Sequence, residues 1–382
     1  MNAHEQQLTA RLKGFEAPGE IEAGERGRRL LLAAFAERAP VRRRRFHLPR
    51  VVWPVLAALL AASAVAVAGY LRDGGGSPRQ ARAPFGAKVE DGVVLALGRG
   101  IASTVSARGR IRALGPASDG DLSPHGRNAV LASGAFLVAV SVADGQVRWR
   151  VPAPARVSLP RWSRERTVPP CCRVAYLAGG ALYSVGGDGL GAHLVARHAL
   201  AVAPAWRPGG AAHELAYAAP DGIHIVAADS RQERAHLPGP ARPLALSWRA
   251  DGLTLAVLDA AGVTLYSAGG KRLRRLSAHG GVLAGGYAPA GNRLVVLRRD
   301  TSGRVSLLVR GASGPLRAVR HLAITAVGDL RLSPDGRAAL VASREGDEWI
   351  EIRLRDGHLQ RLRDIGRRLR AGFAPRALAW AG

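Results

Sequence analysis

The chain has 382 residues and a formal net charge of +26, with 47% hydrophobic but only 5% aromatic residues, 47 Gly and 23 Pro. That apolar content excludes a wholly disordered chain, the Gly and Pro favour a fold with many tight turns, and two cysteines exclude a disulfide framework. Of the 55 basic residues 52 are Arg; a surface selected for charge alone has little reason to exclude Lys, so the bias reads as compositional.

Residues 1–50 hold 11 Arg/Lys and 6 Glu, a net of +5. They are expected to form a basic cytoplasmic tail with at most one short helix, within 21–37. The tail has no cysteine, so a zinc module with a His–Cys–Cys cluster is not supported. Residues 51–71, VVWPVLAALLAASAVAVAGYL, carry no charge, and as a helix that length spans about 30 Å of hydrocarbon. Trp53 and Tyr70 sit near its ends, and Arg42–Arg45 with Arg50 precede it. The positive-inside rule therefore predicts a single-pass anchor with the N-terminus in the cytoplasm and all later residues extracytoplasmic. A cleaved signal peptide is disfavoured, because the leader is too long and so is the apolar run. Residues 72–90, which include DGGGSPRQARAP, read as a linker.

From Val93 onward the pattern is one of short strands broken by Gly. The stretch Pro243–Leu276, PLALSWRADGLTLAVLDAAGVTLYSAGGKRLRRL, reads as four antiparallel strands. Its opening strand ends in an apolar anchor, Trp248, followed by a polar turn with Gly. The same pattern recurs at Leu122, Trp162, Trp206, Tyr287, Leu332 and Trp380, with spacings of 40, 44, 42, 39, 45 and 48 residues. Such a period, with four strands and no helix per unit, is that of β-propeller blades.

The residues after the anchors resemble the S-P-D-G turn of the WD40-like, TolB-type propeller repeat. Ser333–Pro334–Asp335–Gly336 matches it fully, and the turns at 249–252, 288–291 and 123–126 match in part. Pro presets φ, Asp caps the turn and Gly takes φ > 0. The repeats and the resemblance imply an all-β, seven-bladed β-propeller over 91–382, and the apolar run of 51–71 places a single transmembrane α-helix before it. Its seventh blade is expected from strand 376–382 joining the strands of 93–115, which closes the ring and removes open sheet edges.

Candidate chemistry is sparse. No G-x-S-x-G elbow occurs, and the eleven His show no H-x-x-x-H or H-E-x-x-H spacing, so no metal site is expected. Asp91, Asp144, Asp188, Asp221, Asp251, Asp335 and Asp356 lie beside Gly, as turn residues do. Asp119–Gly120–Asp121 lacks the continuing ligand series of a calcium loop. Cys171–Cys172 is a candidate vicinal redox pair, although adjacent Cα atoms about 3.8 Å apart lie below the usual disulfide span. The anchors are read as structural, and no catalytic residue, cofactor or metal is assigned.

Residues 72–382 carry 44 basic and 23 acidic residues, a net of +21. Nucleic acid is disfavoured as a partner by the expected extracytoplasmic location and by the lack of interleaved aromatics. Anionic lipid headgroups or envelope polymers suit a tethered basic surface better. The expected function is a membrane-tethered, non-catalytic binding or scaffold module for a protein or anionic envelope component. The alternatives are an envelope sensor relaying occupancy through the tail, and a propeller lyase or hydrolase with a site at the channel mouth.

Overall fold

A computed structural model describes residues 92–107, 109–164, 172–209, 213–343, 347–369 and 375–381. The expected tail, membrane span and linker, together with Cys171 and Gly382, lie outside the described residues. Among the described residues no helix is long and apolar enough to cross a membrane.

Among the described residues twenty-eight strands form seven four-stranded antiparallel sheets. Blade 1 contains β1 (Val93–Gly98), β2 (Ile101–Ser106) and β3 (Ile111–Pro116). Blade 2 is β4 (Asp119–Leu122), β5 (Asn128–Ser133), β6 (Phe136–Ser141) and β7 (Val147–Pro152). Blade 3 is β8 (Val157–Trp162), β9 (Arg173–Ala178), β10 (Ala181–Gly186) and β11 (His193–Ala196). Blade 4 is β12 (Ala205–Trp206), β13 (Glu214–Ala219), β14 (Gly222–Ala227) and β15 (Glu233–Leu237). Blade 5 is β16 (Ala245–Trp248), β17 (Thr254–Asp259), β18 (Gly262–Ser267) and β19 (Arg272–Ser277). Blade 6 is β20 (Gly281–Tyr287), β21 (Leu294–Arg299), β22 (Val305–Arg310) and β23 (Arg317–Leu322). Blade 7 is β24 (Val327–Leu332), β25 (Ala338–Ser343), β26 (Glu348–Arg353) and β27 (Leu359–Arg363), followed by a one-turn helix, α1 (Ile365–Arg368).

The last strand, β28 (Arg376–Ala381), pairs antiparallel with β1, giving blade 1 the order β28-β1-β2-β3. The opening strands β28, β4, β8, β12, β16, β20 and β24 touch one another in a closed cycle. This is a seven-bladed β-propeller, and the opening strands line its channel.

The core is seven layers, one between each pair of neighbouring blades. Period-2 alternation sends successive side chains of a strand to opposite faces. Leu255 and Val257 of β17 accordingly pack toward blade 4, while Ala256 and Leu258 pack toward blade 6. Val94 and Ala96 of β1 face blade 7, and Leu95 and Leu97 face blade 2. Middle strands buried on both faces can be apolar throughout, which explains runs such as VVLALG and TLAVLD.

The S-P-D-G turn shows why its residues recur. Ser333 Oγ accepts the Ala338 N–H at 2.8 Å and donates to Asp335 Oδ1 at 2.6 Å. Asp335 Oδ1 also accepts the Arg337 N–H at 3.0 Å. Gly336 sits at φ 67°, and a Cβ there would collide with the Ala290 carbonyl of the preceding blade. Gly252, at φ 68°, meets the Pro208 carbonyl in the same way. The glycine is required twice over, by its own turn and by the turn packed against it.

Candidate functional site

The ends of the seven opening strands converge on a cavity of about 460 Å³ at one mouth of the channel. All seven anchors line it: Leu122, Trp162, Trp206, Trp248, Tyr287, Leu332 and Trp380. Leu332 is half-buried and the other six are buried. The indoles of Trp206 and Trp248 stitch blades together. Trp206 Nε1 donates to the Arg161 carbonyl at 2.8 Å, and Trp248 Nε1 donates to the Ala205 carbonyl at 3.1 Å. In both cases the acceptor is the residue just before the anchor of the preceding blade.

That preceding position sets the character of the mouth. Blades 4, 5 and 6 place Ala205, Ser247 and Gly286 there, and blades 2, 3 and 7 place Asp121, Arg161 and Arg331. Ser247 Oγ accepts the Tyr287 N–H at 2.8 Å, and a side chain at Gly286 would press on that hydroxyl. Asp121 Oδ2 accepts the Trp162 N–H at 2.9 Å. Arg331 donates through Nε to the Leu378 carbonyl of blade 1 and through Nη1 to its own Leu330 carbonyl at 2.7 Å. Arg161 donates to the Pro160 carbonyl at 2.6 Å.

Burial pushes the Asp121 carboxyl above its ordinary range, against the pull of Arg161 and the Trp162 N–H. Burial also lowers the Arg331 guanidinium, with Asp329 opposing the shift and Arg161 adding to it. Deeper along the channel wall, Arg376 of β28 lies 3.3 Å from both oxygens of Asp329 in β24. Burial works against the charge on Arg376, and Asp329 outweighs it, so the guanidinium is raised. This pair joins the closing strand to blade 7 at its polar groups, as the Trp380 layer does at its apolar ones.

Cys172 is buried between blades 2 and 3 and has φ 79°. It does not line the mouth. The turn aspartates Asp144, Asp188, Asp251 and Asp356 each accept the backbone N–H two residues ahead. Asp221 differs. Its carboxylate meets His224 and His236, and among the described residues these three form the one group whose donor atoms converge closely enough to share a metal ion. The sequence carries this as D-x-x-H from the β13–β14 turn into β14 and E-x-x-H (Glu233, His236) in β15. Neither spacing is a recognised ligand pattern until the β14–β15 register sets His224 opposite His236.

No protein-family model and no curated protein matches the chain. Among solved structures, a chain of the mitotic checkpoint complex is similar at 18% identity with a TM-score of 0.53, over 65% of this chain and 84% of that one. The hydrazine synthase of Kuenenia stuttgartiensis is similar at 13% identity and a TM-score of 0.49, over 62% of this chain and 76% of that one. TolB of Acinetobacter baumannii is similar at 13% identity and a TM-score of 0.48, over 76% of this chain and 66% of that one. At such identities the likeness is one of fold.

Proposed function

We propose that this seven-bladed β-propeller is a non-catalytic binding module, tethered to a membrane by residues 51–71, that docks an anionic segment of a protein or envelope polymer at the channel mouth. The observation that carries this reading is the charge of the mouth, where among the described residues Arg161, Arg164 and Arg331 stand against Asp121. Cations gathered in a cleft with apolar walls attract anions more strongly than the same cations on an open surface. The remaining polar groups hold the blades: Ser123 Oγ accepts the Asn128 N–H at 3.0 Å, as Ser247 accepts that of Tyr287. Among the described residues the lining contains no His, Cys or Glu. General acid–base or nucleophilic chemistry has no activated pair there to work with.

The test immobilises the detergent-solubilised full chain and applies an envelope extract, with polyglutamate as a defined anionic probe. Retention is expected at low ionic strength, falling as salt rises and falling again in Arg164→Glu. Arg164 is exposed, so that variant should melt like the parent. If neither extract nor polyglutamate is retained at low ionic strength, the reading is wrong.

A further inference from the structure

We propose that Asp221, His224 and His236 form a divalent transition-metal site on the outer half of blade 4, with zinc the best-suited ion. The site is built by a hairpin and its neighbour. β13 and β14 are joined by a turn through Asp221, and β15 is the outermost strand of the sheet. In the register of this sheet Tyr217 pairs with His224 and His224 with His236, so three rings stand side by side. Tyr217 and His224 stack with centroids 5.1 Å apart, and the two imidazoles with centroids 4.5 Å apart, nearly parallel at 16°.

The stack aims both imidazoles at one carboxylate. His224 Nε2 lies 3.0 Å from Asp221 Oδ1, and His236 Nε2 lies 3.9 Å from Oδ2 and 3.2 Å from the Asp221 carbonyl. One donor atom from each residue falls within 4.8 Å of the others. Zinc bonds of about 2.0–2.2 Å place the donors of one tetrahedron about 3.3 Å apart, so side-chain adjustments of about 1 Å complete the set.

One further observation points to a ligand. His224 Nδ1, the nitrogen turned away from Asp221, lies 3.4 Å from Glu233 Oε2. That is the outer carboxylate that orients a metal-bound imidazole and fixes its tautomer. Two imidazoles with one carboxylate select borderline ions such as Zn²⁺ and Co²⁺ over Mg²⁺ and Ca²⁺, which want oxygen. Because the Asp221 and His236 side chains are 64% and 46% exposed, an ion can enter from solvent and keep water in its remaining position. Bound there, it would tie the rim strand β15 to the β13–β14 turn.

The test titrates the chelator-treated full chain with Co²⁺, reading visible absorption, and then displaces the cobalt with Zn²⁺. A saturable spectrum at one ion per chain is expected, lost in Asp221→Asn and in His236→Asn. Glu233→Gln should weaken binding about tenfold, as loss of an outer-shell partner does. Zinc should raise the melting temperature of the parent and leave that of His236→Asn unchanged, while the metal-free melts of the two should agree. No saturable binding by the parent at millimolar Co²⁺ or Zn²⁺ would overturn the proposal, as would a spectrum that survives both ligand substitutions.

Discussion

β16 and β19 belong to the same blade, yet they are built from different chemistry. β16, ALSW at the channel, buries Leu246 and Trp248 and ties Ser247 to the next blade. β19, RLRRLS at the rim, buries Leu276 and exposes the other five residues. The contrast runs around the ring: six of the seven outermost strands, β3, β7, β15, β19, β23 and β27, carry arginine, and β11 does not. Charge on an outermost strand discourages edge-to-edge pairing with another sheet. Positive charge therefore runs along the rim, whereas Arg161, Arg331 and Arg376 at the channel are held by hydrogen bonds. Net charge says little about where a partner docks; the distribution says more.

Removing Arg376–Gly382 attacks the inner side of this comparison most directly. It takes Ala377 and Trp380 from the layer between blades 7 and 1, and Leu378, Ala379 and Ala381 from the layer between blades 1 and 2. Cooperative loss of folding is expected by circular dichroism. A truncated chain melting at the parent temperature would show that β28 is dispensable.

A matched pair of substitutions within blade 5 compares channel and rim at smaller cost. Trp248→Ala empties a site that is 6% exposed and loses the bond to the Ala205 carbonyl, and about 3–5 kcal/mol is expected. Leu273→Ala acts at a rim residue 52% exposed and should change stability by less than about 0.5 kcal/mol. Equal shifts of the two denaturant midpoints would erase the distinction.

Two aspartates give the smallest effects, and their pH dependences run in opposite directions. Asp259 loses solvation on burial, but the paired hydrogen bonds from Arg275, at 3.0 Å each, and the Ala261 and Gly262 N–H groups hold it below the ordinary carboxylate range. Its stabilisation is therefore present above the unfolded value of about 3.9 and is lost as pH falls through the lower folded one. Asp259→Asn should cost about 1 kcal/mol at neutral pH, a figure already reduced for the partly exposed Arg275, and the gap to the parent should close in acid. Asp121 is raised, so its contribution is greatest below the unfolded value and declines as pH rises through the folded one. Asp121→Asn should be no less stable than the parent at neutral pH. Denaturant midpoints between pH 3 and 7 check both signs.

The propeller was legible because its signals are local. Turn chemistry at Ser333–Gly336 and the anchors Trp162, Trp206 and Trp248 declare themselves within five residues, and their period does the rest. The four residues of α1 are too few to carry a helical period, and the Arg361–Arg370 run that includes them reads from sequence as a charge stretch alone. The mouth charges were hidden for another reason. Asp121, Arg161 and Arg331 each sit one place before an anchor, and their neighbours become known only once the ring is closed. The His224–His236 stack depends on the register of one hairpin, including the shift between Ile225 and Val226, which no spacing in the sequence encodes.

The pairing of β28 with β1 also bears on timing. The two strands begin 283 positions apart (93 to 376), so at about 5–20 residues per second a ribosome needs about 15–60 s to make the second after the first. Throughout that interval the inner edge of β1, with Val94 and Leu95 beside it, has no partner in its own sheet. Six later blades can form before it does, which makes β1 the oldest unfinished edge in the nascent chain.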